Sequence, residues 1–451
     1  MWLDSARGHP VTGRWSLLGF DPWLRFTAWG DRVEVSTTSA TRVVREHPLE
    51  ALRTLLRRYA APPDHPFGRA IGLLGFLSYD LNRWIERLPA PQPSTGTWPD
   101  MQWFGMARAI LVDHVDARSW LMSVADPHLS PKLATREARE RLEELEAWAS
   151  APTARMEALT EGADSTAGGL EPTSSKVDFC AMVERALAYI QAGDIFQANL
   201  SQRFTAPWEG PAWPLYQALR RVNPSPFACW FSSPERTVVS CSPERLVRVQ
   251  EGRIDTRPIA GTRPRGETAW AEALNELDLL LSEKERAEHL MLVDLARNDL
   301  GRVARTGSVR VNEFMGLEAY SHVLHLVSDV AAVLRPGTDA VDVIRAIFPG
   351  GTITGCPKVR SMQIIRELEP VARGLYTGSL GYLGFDGTLD LNIAIRTMVL
   401  QAGRLSFHVG AGIVADSDPG REYDETLAKA AALKQALQVT RELKACHADA
   451  R

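Results

Sequence analysis

Residues 151–175 read "APTARMEALTEGADSTAGGLEPTSS", a stretch of small and polar residues almost without large apolar side chains. Such a stretch cannot bury enough surface to offset the entropy of ordering it. It is therefore expected to be a linker or mobile surface loop, and it divides the chain into parts of 1–150 and 176–445 that must find their cores elsewhere. Before it, the runs "WLRFTAW", "DRVEVSTTS" and "ARAILVDHV" alternate apolar and polar residues between Pro, Gly and Asp, the period of half-buried strands. Helical patterns at "EHPLEALRTLLRRYA" and "TREARERLEELEAWAS" interrupt and close this strand-rich part. After it, Phe179, Met182, Val183, Ala186, Leu187 and Ile190 fall on one helical stripe, with Ser174 or Ser175 as N-cap. Strands then alternate with helices. One long helix is expected through "LNELDLLLSEKERAEHLMLVDLARNDLGRV", single strands at "TGSLGYLGF", "LNIAIRTMVL" and "RLSFHVGAGIVA", and a last helix from about Glu422. The pattern predicts an α+β architecture without internal repeats.

Composition excludes several classes. A formal net charge of -4 over 451 residues, with both signs mixed, does not suit a general nucleic-acid or membrane-surface binder, though local arginines can hold small anions. The five cysteines, Cys180, Cys229, Cys241, Cys356 and Cys446, form no CxxC pair, which favours a reducing compartment over a disulfide or zinc framework. "MWLDSARGHP" has no apolar core of a signal peptide, and no run approaches the roughly 20 apolar residues of a membrane span, so a cytoplasmic protein is expected.

Two helical segments each carry carboxylates three residues apart: Glu285 and Glu288, and Glu422 and Glu425, with Lys429 one turn further on. Facing one another they would form an oxygen-rich cage suited to Mg2+; separately they would be ordinary solvated faces. "FPGGTITGCPKVR" lacks the lysine and hydroxyl spacing of a phosphate loop, but Thr352, Thr354 and its backbone amides could form an anion-binding turn or merely a tight one. Gly410 and Gly412 in "HVGAGIVADS" either leave room for a ligand or allow a bulge. His325 lies in an apolar run, as a core residue or a catalyst. Arg396, inside an apolar strand pattern, calls for an anionic partner such as a ligand carboxylate. Glu244 in "SCSPERLV" reads as an exposed turn residue or as an acid or base.

Together, "GDIFQANLSQRF", "NPSPF", "SPERL", "PIAGTRPRG", "EHLMLVDLARNDLGRV", "HLVSDV", "FPGGTITGCPK", "GSLGYLGFDGTLDLNIAIRT" and "GAGIVADSDPGREYDET" resemble the chorismate-utilising enzymes, specifically component I of anthranilate and aminodeoxychorismate synthases. "LDSARGHPVTGRWSLLGFDP" resembles the family's first domain. The resemblance implies a large chorismate-binding α/β sandwich built on antiparallel sheets with flanking helices, plus an N-terminal strand-rich subdomain. It assigns Mg2+ to Glu288 and Glu425, with Glu285 and Glu422 holding metal-bound waters and Lys429 balancing their charge. Chorismate would have one carboxylate on the metal and the other near Arg396, Tyr376 and the backbone of Gly410, Ala411 and Gly412. Gly261, Thr262 and Thr352 would line the ring, with Glu244 and His325 as acid and base candidates. Ser5, Pro226 and Phe227 occupy positions that line a tryptophan pocket in the family, or else simply pack two domains together.

The water-adding members of the family carry an activating lysine where this chain has Gln197, so the resemblance implies ammonia as nucleophile. No glutaminase signature is present, and a separate glutamine amidotransferase subunit is implied. "GGTITGCPK", "QANLSQRF" and "LDLNIAIRT" resemble the aminodeoxychorismate enzymes of folate synthesis. Ala260 departs from that pattern, because many of those enzymes have at this place a lysine that attacks ring carbon 2; alanine is the anthranilate-type residue. The expected reaction is amination of chorismate to 4-amino-4-deoxychorismate, with anthranilate formation as the alternative. A non-catalytic tryptophan or chorismate sensor would have no need of all four glutamates.

Overall fold

The structure is a computed structural model describing residues 1–6, 12–62, 67–89, 98–151, 169–319 and 323–448, with backbone alone at 441–448. Most of the expected linker, residues 152–168, lies outside the described residues, as does the Cys446 side chain. Its last residues do not hang free: Glu171 and Pro172 pair with Thr205 and Phe204. The helices are α1 (Pro48–Arg58), α2 (Pro131–Ser150), α3 (Lys176–Gln191), α4 (Ala212–Val222), α5 (Ala269–Leu281), α6 (Glu283–Gly301), α7 (Ala340–Ile347), α8 (Lys358–Leu368) and α9 (Pro419–Ala448). None among the described residues is long and apolar enough to cross a membrane.

Local chemistry sets the boundaries. Ser175 caps α3 through a capping box with Asp178, and Phe179, Met182, Val183 and Ala186 of its stripe are buried. The single long helix expected from Leu274 to Val303 is two helices. Ser282 takes an extended backbone, and its hydroxyl accepts from the Glu285 amide to start α6 afresh. The spacing Ser282 to Glu285 is itself a capping-box signature inside the helical pattern. The break puts Glu285 and Glu288 on the opening turns of a new helix.

Among the described residues every strand pairing is antiparallel, and the strands form one hydrogen-bonded band folded into two layers. In the first layer Gln197–Pro207 pairs with Arg404–Ile413, which pairs with Thr397–Gln401 and then Thr237–Ser242. Phe227–Ser232 and Trp2–Asp4 follow, and the 15-residue strand Trp15–Trp29 leads out of this layer. The second layer continues through Met101–Asp113, Gly72–Leu77, Ser379–Gly384, Leu389–Asn392, Arg245–Gln250 and Arg253–Thr256 to Val323–Val333. That last strand also pairs with Ile259–Pro264 and Arg310–Ala319.

Period-2 alternation gives each layer two apolar faces. Cys229, Phe231 and Val238 meet Leu74, Phe76, Phe104 and Leu380 between the layers. On the outer faces, α4 and α9 cover Val239, Cys241 and Phe407, while α1 and α7 join the cluster around Leu73, Leu77, Val247 and Leu391. A fourth cluster seats α3 and α8 on Ala198, Leu200 and Ala411.

A buried ion pair ties the end of α8 to these strands. Arg373 donates from Nε and Nη2 to both oxygens of Glu369 (2.9 and 2.7 Å), and further to the carbonyls of Ile353 (3.0 Å) and Asn199 (2.6 Å). Glu369 also accepts from the Ser201 amide and hydroxyl, at 2.8 Å each. The guanidinium lies over the rings of Tyr79 and Tyr376. Removing one partner strands the other charge in the core. Arg373→Met should therefore lower unfolding free energy by about 3–5 kcal/mol in urea titration, with Arg373→Met/Glu369→Leu recovering part of the loss. A single variant as stable as the parent would contradict this.

Candidate active site

The four predicted carboxylates come together where the start of α6 faces the start of α9. Burial raises the Glu288 carboxyl above its ordinary range, and neighbouring Glu285 and Glu425 push it the same way. Glu422 is raised likewise, by burial and then by Glu425. Each carboxylate is held by a different side chain. Gln197 Nε2 donates to Glu288 Oε1 (2.9 Å), Arg263 Nη1 to Glu285 Oε1 (3.0 Å), Ser417 Oγ to Glu422 Oε1 (2.6 Å), and Lys429 Nζ to Glu425 Oε1 (2.8 Å). Glu422 Oε2 is buried without a hydrogen-bond partner. Among the described residues, no three metal-type side chains close on one point in this arrangement.

Beside Glu285 runs the strand Ile259–Pro264, whose register against Val323–Val333 slips at Gly261. Ala260 stands opposite Leu326 and is buried; Thr262 stands opposite His325. Gly261 has φ +71°, and a β-carbon there would stand 2.9 Å from Leu279 Cδ1 and 3.1 Å from Glu285 Oε2. Only glycine lets this bulged strand approach α5 and α6 so closely. His325 Nδ1 lies 3.1 Å from the Gly261 carbonyl and 3.0 Å from Thr262 Oγ1. Donation from Nδ1 to that carbonyl assigns Nε2 as the ring's acceptor. Burial pushes the imidazole down to about 4, so His325 is neutral at pH 7.

His325, Arg396 and Lys429 line a cavity of about 250 Å³ with Asn223, Ser225 and Pro243. Arg396 does not lie within a strand as the apolar pattern predicted. The expected strand breaks into Leu389–Asn392 and Thr397–Gln401, and Arg396 sits in the break at φ +50°, donating to Asn223 Oδ1 at 2.6 Å. The break aims the guanidinium at the cavity end instead of at a sheet face.

Glu244 is buried, not an exposed turn residue. Burial pushes its carboxyl up to about 7, against the pull of the Thr352 hydroxyl, the Ile259 amide and Lys429. Its Oε1 and the Thr352 hydroxyl are buried and close no hydrogen bond of good geometry. Thr352 lies in a turn at Gly351–Ile353, and Thr354 folds back on the Gly350 carbonyl (2.8 Å). Lys358, next to this loop, is held by Asp299 (2.6 Å) and the Ile347 carbonyl (3.0 Å), which fastens the loop to α6.

The strand Arg404–Ile413 runs past Gly410 and Gly412 in unbroken register, without a bulge. A β-carbon at Gly410 would stand 2.8 Å from the Tyr376 hydroxyl, and one at Gly412 would stand 2.6 Å from Gln197 Nε2. Gly410 is demanded by close approach, since its β-carbon would also stand 2.7 Å from the Leu200 carbonyl oxygen, whereas a β-carbon at Gly412 would push aside the Gln197 amide. Ala411 turns its methyl into the core under α3 and α8, so it offers the site backbone only. The Gly410 carbonyl accepts from Lys429 (3.0 Å), and Tyr376 stacks on His408 with centroids 5.1 Å apart.

Ser5, Pro226 and Phe227 meet elsewhere. They line a larger cavity of about 630 Å³ between the N-terminal strands and the second layer, with Tyr382 and the Arg245–Asp390 pair. Ser5 Oγ donates to the Trp15 carbonyl at 2.6 Å. Sequence reasoning did not single out Asn223, Arg263, Glu369, Arg373 or Ser417. The i, i+4 spacing of Glu369 and Arg373 was an available signal, and Ser417 lies only five residues before Glu422; the partners of Glu285 and Arg396 come from separate elements and left none.

A family profile described as chorismate binding enzyme matches residues 7–435. The aminodeoxychorismate synthase component 1 of Bacillus subtilis (strain 168) is 41% identical over 445 residues, covering 98% of this chain and 92% of the relative. The anthranilate synthase component 1 of Cereibacter sphaeroides is 40% identical over 446 residues, covering 97% and 88%. In three dimensions the chain is similar to anthranilate synthase component I from Streptococcus pneumoniae TIGR4, at a TM-score of 0.80 and 34% identity over 95% of this chain and 93% of that one. The menaquinone-specific isochorismate synthase of Escherichia coli shares the fold at a TM-score of 0.69 and 20% identity, covering 96% of each chain. With its carboxylates, glycine turns and buried glutamate arranged as described, the chain belongs to the family of chorismate binding enzymes.

Proposed function

We propose that the chain aminates chorismate with ammonia to give 4-amino-4-deoxychorismate, the precursor of p-aminobenzoate for folate, with a glutamine amidotransferase subunit as the ammonia source. The observation that carries the amine chemistry is the Gln197–Glu288 hydrogen bond. A neutral amide, engaged by a carboxylate, stands where the water-adding relatives have an activating lysine, and an amide cannot take a proton from water. The relatives' designation as component 1 supports a partner subunit.

The donor set fits Mg2+. It is all oxygen, it has four carboxylates against the two basic partners Arg263 and Lys429, and Glu422 Oε2 is buried with nothing to bond. Glu288 and Glu425 would hold the ion and Glu285 and Glu422 its waters; when bound it would neutralise a substrate carboxylate and orient the ring. Arg396 would take the second carboxylate. Glu244, not the neutral His325, is the proton donor in this reading. Ammonia adds to the ring and the 4-hydroxyl departs as water with the Glu244 proton; a proton from the ammonium product restores the acid. Ala260 supplies no nucleophile, so carbon 4 is displaced directly or through another group at carbon 2. His325, held by Gly261, orients the turn that lines the ring. In this reading the 630 Å³ cavity around Ser5, Pro226 and Phe227 would hold tryptophan.

Ala260 itself favours a second reading, anthranilate with release of pyruvate. The two separate by product. With chorismate, Mg2+ and an ammonium salt, the first predicts p-aminobenzoate only after an aminodeoxychorismate lyase is added; fluorescent anthranilate with equimolar pyruvate would replace it by the second.

Glu244 acts as an acid only while protonated, so with its carboxyl pushed up to about 7 the ammonia-saturated rate should hold below that pH and fall above it. Glu244→Gln should lower kcat by about 10²–10⁴-fold and remove that limb. A variant that keeps both the rate and the limb would assign the proton to another group.

A further inference from the structure

The four carboxylates carry negative charge enough for a dication, yet they do not close on a point, and the reason lies in what each is bonded to. Among the described residues, three of the four holding groups hydrogen-bond to no second carboxylate. Arg263 differs. It follows the bulge at Gly261 in the strand Ile259–Pro264, and its guanidinium is shared between Glu285 on α6 (Nη1 to Oε1, 3.0 Å) and Asp278 on α5 (Nε to Oδ2, 2.6 Å). Nη1 also donates to the Thr262 carbonyl at 2.9 Å. Arg263 is a quarter exposed and Glu285 a fifth, whereas Asp278 is 65% exposed.

Resting on the reading that these glutamates hold Mg2+, we infer that Arg263 is the built-in counter-ion of Glu285, competing with the divalent ion for that carboxylate and setting the affinity of the site. The geometry gives it two seats. Without the ion, Nη1 neutralises Glu285 and draws the carboxylate toward the Thr262 turn. When an ion or its water takes Glu285, the guanidinium loses that bond but stays on Asp278, so no buried charge is abandoned. Asp278 thus sets how readily Arg263 lets go. Because the same guanidinium holds the Thr262 carbonyl, loading of the ion is coupled to the turn that lines the substrate ring. Lys429 performs the parallel neutralisation of Glu425, but its second bond is to a carbonyl, which offers no charged seat to retreat to.

The test is Mn2+ titration of the full-length protein by electron paramagnetic resonance of the free ion, with Mg2+ competition. Arg263→Gln should bind Mn2+ about three- to tenfold more tightly than the parent, the size expected for loss of one partly solvated pair. Asp278→Asn should bind two- to threefold more weakly, because Arg263 is then committed to Glu285. In a Glu285→Gln background Arg263→Gln should change affinity less than twofold. General damage to the fold would weaken both single variants, so opposite directions mark the competition. An Arg263→Gln protein that binds Mn2+ equally or more weakly, while the parent binds, overturns the inference. A parent that takes up no Mn2+ or Mg2+ overturns the metal reading on which it rests.

Discussion

Like charges brought together in a partly buried place are the constraint around which this molecule is arranged. Glu285, Glu288, Glu422 and Glu425 repel one another, and burial strengthens the repulsion because less water screens it. A chain selected for stability alone would not keep them. Each carboxylate is instead given its own hydrogen-bonding partner, Gln197 and Arg263 from other strands and Ser417 and Lys429 from the same stretch of chain, so two strands and two helix starts are fixed by the same electrostatic problem. Two close backbone approaches depend on it as well. Gly261, at φ +71°, must be glycine where it passes Glu285, and a β-carbon at Gly412 would displace the Gln197 amide from its place beside Glu288.

The rest of the fold supplies rigidity behind that site. The two-layer band places Gln197 and Gly412 on directly paired strands, and α3 and α8 clamp the far face of the same pair. The Arg373–Glu369 pair joins the Thr352 turn, the strand at Asn199 and the Tyr376 ring through one guanidinium. Buried ionic groups of this kind contribute little net stability but leave few alternative packings. They suit a place where substrate-facing groups must be held in register.

Much of this was legible in the sequence because it is written in local patterns. Spacing of three placed Glu285 with Glu288 and Glu422 with Glu425, and apolar periodicity found α3 and the strand Arg404–Ile413 of the first layer. The misses lie where local pattern is overridden. The helix through Ser282 and the strand through Arg396 are continuous in apolar pattern, yet a side-chain cap ends one and a left-handed residue ends the other, and period counting sees neither. Glu244 next to a proline looked exposed because its cover comes from Thr352 and Ile259, distant in the chain. Arg263 went unremarked among the arginines of "TRPRG", since only tertiary contact with Asp278 and Glu285 distinguishes it.

The central claim is that the carboxylates form one electrostatic unit completed by a dication. It is tested most directly by the thermal unfolding midpoint at pH 7 in Mg2+ and in NaCl of equal ionic strength. A cation that relieves the repulsion binds the folded state selectively and must raise the midpoint by a few degrees at saturation, an increase lost in Glu288→Gln/Glu425→Gln. Equal midpoints in the two salts would contradict it.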